Sequence, residues 1–147
     1  MNRFSKIIIV LLRISLGWIF VYDGLSKILD PRFSAKDALD SAKVLPAYYH
    51  YLASPGHIAW TNIALSWGPI ILGTLLIVGL FVRYASSIGI VFSLTTYFSL
   101  LAFPVVLPSS YVIDEHIIYI LLLILFTAIN AGTYFGLDRY IFTRRDY

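Results

Sequence analysis

Asp23 and Lys27 are the residues of the first apolar stretch whose types and spacing could do chemistry. They lie four positions apart in the segment Ile7 to Leu29, which is long enough for a bilayer-spanning helix at a rise of about 1.5 Å per residue. A charge at the centre of an isolated spanning helix costs roughly 2.5–3.5 kcal/mol. We therefore expect partners for both: either each other near the headgroups, with Lys27 snorkelling, or groups on another helix.

A second ionisable group opens the last apolar stretch, where Asp114, Glu115 and His116 are consecutive. The helix dipole stabilises acidic side chains in the first turn of a helix, so capping is one interpretation. The other is proton chemistry, since three ionisable groups in a row at a membrane boundary are more than capping needs. The candidate catalytic residues are Asp23, Lys27, Asp114, Glu115 and His116.

Three further residues are candidate contacts for a bound cofactor: Tyr22, Arg13 and Asn130. Tyr22 adjoins Asp23. Arg13 lies deeper in its helix and matches Asn130 in depth, so we expect the Asn130 amide to cap the guanidinium. Snorkelling of Arg13 to the interface is the alternative.

The chain has no cysteine, which excludes thiolate metal sites, iron–sulfur clusters and disulfides within it. A bis-histidine haem needs two histidines inside the bundle, and only His116 is expected near it. We expect no metal at Glu115, His116 and His57, because adjacent residues of a helix face different ways. The chain therefore has no residue that could carry electrons by itself.

The composition predicts an all-α integral membrane protein: 59% of the 147 residues are hydrophobic and 13% charged, against about 25% charged in soluble domains. We predict a single membrane domain, residues 1–147, built as a four-helix bundle. Its helices are expected at about 7–29, 58–80, 84–103 and 112–132. An outer loop, 30–57, follows the first helix, and a cytoplasmic tail, 133–147, ends the chain.

The outer loop is expected to contain short amphipathic helices. Ser34 and Asp37 fit a capping box, and Pro46 fits the first residue of a helix ending at Ala53. The tyrosines of that second helix are typical membrane-interface anchors: Tyr48, Tyr49 and Tyr51.

Spacing within the spanning helices indicates where they approach one another. One face of the first helix carries residues at alternating steps of four and three: Arg13, Gly17, Phe20, Gly24 and Lys27. In the second helix, Gly73 and Gly79 offer places for close approach, and Gly68-Pro69 predicts a kink.

The distribution of basic residues predicts orientation. They concentrate at the N-terminus, the turn between helices 2 and 3, and the C-terminal tail, which places both termini in the cytoplasm and the protein in the inner membrane. The two ionisable groups then share one depth at the outer face. They meet only if the first and last helices lie side by side.

The run from Arg13 to Lys27 resembles the R-x-x-x-G…(H/Y)-x-G-x-x-K pattern of the DoxX/DoxD family of small four-helix membrane proteins. Asp114-Glu115-His116 and the ending from Asn130 to Asp138, similar to the family's G-x-G…LD, extend the resemblance over nearly the whole chain. Many members carry a glutamate in helix 2 before a Gly-Gly pair. Here the stretch after Trp67 has no acid, so an activity that depends on that glutamate is not implied.

The resemblance implies a redox-associated membrane protein. DoxD-like members are the small subunit of thiosulfate:quinone oxidoreductase, and other DoxX-like and MauE-like members are associated with redox systems. Thiosulfate would need cations, for which Lys27, Arg32 and His57 are the outer candidates. We therefore expect a subunit that works with quinone.

The alternative to a redox subunit is a non-enzymatic membrane scaffold or assembly partner of another protein, and a transporter comes third. The expected partners are the lipid bilayer and either a redox subunit or a second copy of the chain. We interpret the net charge of +3 as reporting orientation rather than nucleic-acid binding.

Overall fold

The computed structural model describes residues 2–100, 105–107, 110–111 and 113–142. It is helical apart from one antiparallel ribbon, in which β1 (Val105–Leu107) pairs with β2 (Ser110–Tyr111). The helices in chain order are α1 (Arg3–Leu29), α2 (Lys36–Asp40), α3 (Pro46–Ala53), α4 (Ile58–Val78), α5 (Val82–Leu100), α6 (Glu115–Ala128) and α7 (Asp138–Phe142), with a 3-10 helix at Ala131–Thr133 between α6 and α7.

The long helices follow the predicted spans with shifted ends. α1 begins four residues earlier than predicted, at Arg3, because the Asn2 side chain accepts from Ser5 N and caps it. α6 begins at Glu115, since Asp114 is its N-cap, and it ends at Ala128 rather than at 132. The predicted end of the third span at Phe103, the predicted start of the fourth at Val112, and the tail from 143 to 147 lie outside the described residues.

α1 packs along α4 through small residues, and this is the most extensive helix contact of the bundle. A Cβ added at Gly17 would lie 2.7 Å from the Gly73 carbonyl oxygen, and one at Gly24 would overlap the Ser66 carbonyl. The paired positions are seven residues apart on each helix and run in opposite directions, so the two helices are antiparallel. The buried side of α1 is the face predicted from spacing, since Arg13, Gly17, Phe20 and Gly24 are all buried.

The core lies where α1, α4, α5 and α6 converge. Leu76, Val82, Leu123 and Phe126 have no exposed surface there. α5 packs closely along α6, whereas α1 touches α6 only lightly. The contact between α1 and α6 includes the rings of Phe20 and Tyr119, whose centroids are 6.1 Å apart. α1 and α6 are therefore neighbours, as predicted for the first and last helices, but the contact between them is loose. We call this loosely packed contact the seam.

The segment between α1 and α4 folds back over one end of the bundle. Leu39 and Ala42 of the α2 region pack with Tyr49 and Ala53 of α3, against partly buried residues that include Phe98 of α5. α3 begins at Pro46, as predicted, whereas the predicted capping box is wrong. The helix starts one residue later than the box requires, so its N-cap is Ala35, whose methyl side chain cannot accept a cap hydrogen bond.

The three tyrosines of α3 do not share one role. Tyr48 and Tyr51 are exposed, which suits the predicted interface anchors. Tyr49 is 2% exposed, and its hydroxyl donates to the carbonyl oxygen of Thr95 in α5 at 2.9 Å. The anchor assignment was therefore wrong for Tyr49, which instead attaches α3 to α5.

Two helices of the described residues, α1 and α4, are long and apolar enough to cross a membrane. α4 runs unbroken through Pro69. All four long helices also expose large apolar side chains on their outward faces, among them Leu11 on α1, Trp60 on α4, Val91 on α5 and Leu121 on α6. Exposed apolar surface of this extent marks a membrane or partner interface.

Candidate functional site

A cleft of about 620 Å³ lies in the seam between α1, α5 and α6. Its apolar walls include Trp18 and Phe20 of α1 and Phe92 of α5. Its polar lining comes from all three helices: Tyr22, Asp23, Ser26, Lys27, Ser93, Thr96, Glu115, His116 and Tyr119. The small residues of α1 pack closely against α4, whereas the opposite side of α1 packs only loosely on α6. This loose packing leaves room for the cleft.

Asp23 and Lys27 form an ion pair on the α1 wall. Lys27 Nζ lies 2.6 Å from Asp23 Oδ2, with side-chain exposures of 20% for the lysine and 43% for the aspartate. The pair is local, as one interpretation of the sequence expected, and it also faces the cleft. Lys27 keeps two further N–H donors for a ligand.

Asp114 and His116 form a second pair at the start of α6. Asp114 Oδ1 accepts from the backbone N–H groups of His116 and Ile117, so the capping interpretation is confirmed. Its Oδ2 lies 2.7 Å from His116 Nδ1, and the aspartate side chain is only 2% exposed. Because a carboxylate only accepts, Nδ1 carries the hydrogen of this bond, and His116 Nε2 is the ring atom left for the cleft.

Glu115 and Tyr119 complete the α6 wall. The Tyr119 hydroxyl donates to Glu115 Oε2 at 3.1 Å, one helical turn away. The Tyr119 ring also lies 6.0 Å from the His116 ring. Sequence reasoning did not identify Tyr119 as a site residue. Its spacing could have done so, because residues three and four positions apart, as Tyr119 is from His116 and Glu115, are neighbours on a helix surface.

The structure brings together six of the eight predicted site residues. Five line the cleft, namely Tyr22, Asp23, Lys27, Glu115 and His116, while Asp114 lies behind His116 and orients it. Tyr22 is 64% exposed at the cleft, so its hydroxyl is accessible to a ligand.

Arg13 and Asn130 lie away from the cleft, at the other end of α1. Arg13 is 1% exposed, which excludes snorkelling, and its Nη1 donates to the carbonyl oxygens of Ala131 (2.9 Å) and Tyr134 (3.3 Å). The expected Asn130 amide cap is therefore wrong. Asn130 is exposed and has a left-handed backbone (φ 49°), and the carbonyls beyond this turn bind the guanidinium instead. That Arg13 and Asn130 contact a cofactor stays a prediction, and such a cofactor would lie outside the cleft.

Asp138 is a residue of this same end that sequence reasoning did not assign a role. Its two carboxylate oxygens accept from the backbone N–H groups of Phe81 (2.6 Å) and Val82 (3.0 Å), which cap the start of α5. Its own N–H donates to the Gly79 carbonyl at 2.9 Å. Asp138 stands in the chain ending that resembles the family's G-x-G…LD pattern, and this could have marked it as important. Its contact with Phe81 could not be predicted, because the two residues are far apart in the sequence.

Of the three cations expected to hold an anion, only Lys27 lines the cleft. Lys27 is paired with Asp23, and Arg32 is exposed in the loop after α1. His57 lies 2.9 Å from Ser54 Oγ through its Nδ1 and stacks on Tyr51, outside the cleft lining.

Comparison with known proteins gives one family. The model of the DoxX family matches residues 8–102, which include α1 and its Asp23–Lys27 pair, α4 and α5. No curated protein and no solved structure is detectably similar to the chain.

Proposed function

This chain belongs to the DoxX family of membrane proteins, and from that premise and the cleft geometry we propose that it is a redox-associated subunit that binds a quinone. The observation that carries the proposal is the cleft itself. It combines aromatic walls with an ion pair on one side and an oriented histidine on the other. A quinone ring needs such apolar walls, and its two oxygens need polar contacts at opposite ends.

The same proposal places the protein in the inner membrane as a four-span bundle with both termini cytoplasmic. α1 and α4 meet the length and hydropathy of spanning helices, and the exposed apolar faces of α5 and α6 support their insertion beside them. The cleft then lies toward the outer side, where Glu115 at its edge is exposed to water.

Thiosulfate oxidation receives no support from this cleft. Its one lysine is neutralised by Asp23, and Glu115 adds a further negative charge to the lining. Electrons would have to reach the quinone from a partner subunit, because the chain has no cysteine that could hold an iron–sulfur cluster.

Tryptophan fluorescence tests quinone binding directly, because Trp18 lines the cleft while Trp60 and Trp67 are on α4. Duroquinone added to the detergent-purified protein should quench fluorescence in a saturable way. Trp18→Phe should remove the saturable part and Trp60→Phe should retain it. Quenching that rises linearly with quinone and is the same in both variants would contradict the proposal.

A matched pair of lysine variants tests the polar contact. Lys27 and Lys36 each pair with an aspartate four residues away, but only Lys27 lines the cleft. Lys27→Met should weaken quinone binding about tenfold, since a charge-assisted hydrogen bond contributes about 1.5 kcal/mol or more. Lys36→Met should leave it unchanged. A protein that co-purifies with a stable partner but carries no quinone would favour the scaffold alternative.

A further inference from the structure

We propose that the cleft prefers a ligand that donates hydrogen bonds, and hence the hydroquinone over the oxidised quinone. This inference rests on the proposed function and names which form of the ligand the same site takes. It follows from counting, group by group, which polar atoms of the lining still have a hydrogen to give.

His116 offers a lone pair to the cleft. Its Nδ1–H is committed to Asp114 Oδ2, and among the described residues nothing bonds Nε2. A neutral imidazole carries one N–H, so Nε2 is then an acceptor. Asp114 is buried and accepts two backbone N–H bonds besides, which holds its carboxylate, and therefore the ring, in this arrangement.

The neighbouring hydroxyls are also committed as donors. Tyr119 gives its hydrogen to Glu115 Oε2, and Thr96 gives its hydrogen to the Phe92 carbonyl oxygen at 3.1 Å. A hydroxyl has a single hydrogen, so towards a ligand both present only lone pairs. The Glu115 carboxylate likewise accepts. The α6 part of the described lining therefore consists of acceptors.

Donors come from the other two helices. Lys27 has two N–H groups beyond the one directed at Asp23, and the Trp18 indole lies on the same helix. The hydroxyls of Tyr22 and Ser93 serve as donor or acceptor. α1 also carries acceptors, namely the Asp23 carboxylate and the Ser26 hydroxyl, whose hydrogen goes to the Asp23 carbonyl oxygen. The ligand can therefore accept from Lys27 on α1, whereas the α6 side offers it only acceptors.

A hydroquinone meets both demands, whereas a quinone meets one. Each hydroquinone hydroxyl donates one hydrogen bond and also accepts, so one oxygen binds Lys27 and the other donates to α6. Both oxygens of a quinone only accept, so one would face the His116 and Tyr119 lone pairs and the Glu115 charge without a hydrogen. A site built to bond a ligand hydroxyl discriminates strongly against an analogue that lacks it.

Calorimetric titration of the full chain in mild detergent compares the two forms, with duroquinol and duroquinone as probes under anaerobic conditions. The titration is run at pH 8. We expect duroquinol to bind at least about tenfold more tightly, which raises the potential of the bound couple by about 30 mV. Equal affinity or tighter duroquinone binding would overturn this inference and leave the proposed function standing. Failure of both to bind would overturn both.

Asp114→Asn isolates the orienting role, because asparagine is as good an N-cap as aspartate while the charge is lost. The preference for duroquinol should fall towards unity, and in His57→Phe, which alters a histidine outside the cleft, it should persist. Imidazole ¹⁵N spectra give an independent readout: His116 should carry its hydrogen on Nδ1 in the native protein. A native Nε2–H tautomer, or a preference unchanged in Asp114→Asn, would refute the mechanism.

Discussion

Arg13 is the most buried charge of α1, and its role is to join distant parts of the chain. Its guanidinium binds carbonyl oxygens 118 and 121 residues further along. Glycines make room for it, since a Cβ added at Gly79 or Gly136 would lie 2.9 Å from its Nη1. Asp138 contributes a favourable charge nearby. This cation therefore stabilises the fold.

Arg13→Met is expected to destabilise the protein by about 3 kcal/mol, because one buried and one partly buried carbonyl lose a charged donor and charge-assisted bonds contribute about 1.5–3 kcal/mol each. Thermal unfolding in detergent, followed by circular dichroism, measures the loss. Arg83→Met is the control, since Arg83 is exposed in the first turn of α5. Equal melting temperatures for the two variants would refute the role.

At the scale of elements, the α1–α4 pair forms the rigid half of the bundle. Gly17 and Gly73 contact each other backbone to backbone, which permits an approach that side chains would prevent. α6 is fixed mainly by α5 instead. The cleft thus lies between α1, which α4 holds in place, and α6, which α5 holds in place.

Gly73→Ala should separate α1 from α4, because the new Cβ would lie 2.8 Å from Val21 N. Overpacking of this kind costs about 1–3 kcal/mol. Unfolding in sodium dodecyl sulfate, compared with that of Gly56→Ala, measures the cost, since nothing lies within 4 Å of a Cβ at Gly56. A loss of stability in both variants alike would point away from the helix contact.

α3 is attached to α5 by Tyr49, and this contact should depend on pH. Burial raises the pKa of the Tyr49 phenol above its usual value of 10.0. The bond therefore stabilises the fold fully below pH 10 and loses its contribution as the pH rises through the raised pKa. Tyr49→Phe should be about 1 kcal/mol less stable at pH 8 and should lose less stability than the native protein between pH 10 and 12. Parallel alkaline losses would contradict this.

At the scale of the whole molecule, the ionisable groups are divided between two ends. One end holds the cleft with its pairs Asp23–Lys27 and Asp114–His116. The other holds Arg13 and Asp138 in structural bonds. In the four-span arrangement that we propose, these two ends would face opposite sides of the membrane, with the cleft toward the outer side.

The absence of cysteine makes this topology easy to test with single-cysteine variants and a membrane-impermeant maleimide. Ser41 and Ile113, both exposed, should label from outside, and Tyr140 should label only after permeabilisation. If a cysteine at position 113, like one at position 140, labelled only after permeabilisation while one at position 41 labelled from outside, α5 and α6 would not cross.

Much of the architecture could be predicted from local pattern. The spacing of Arg13, Gly17, Phe20 and Gly24 identified the buried face of α1, because helical periodicity is a property of the segment itself. The start of α3 at Pro46 and the Asp114 cap were equally local. The four-residue spacing made the Asp23–Lys27 pair one of two interpretations, the other being partners on another helix, and the structure shows the pair.

The tertiary structure decided what depends on contacts between distant segments. The high hydrophobic and low charged fractions alone predicted an apolar, helical chain, since a chain that faces lipid needs apolar side chains on its surface. That Arg13 binds Ala131 and Tyr134, that Asp138 caps α5, and that Tyr49 is buried follow from packing across the bundle. The cleft also arose at this level, because glycine contacts hold α1 on α4 and leave its seam with α6 open.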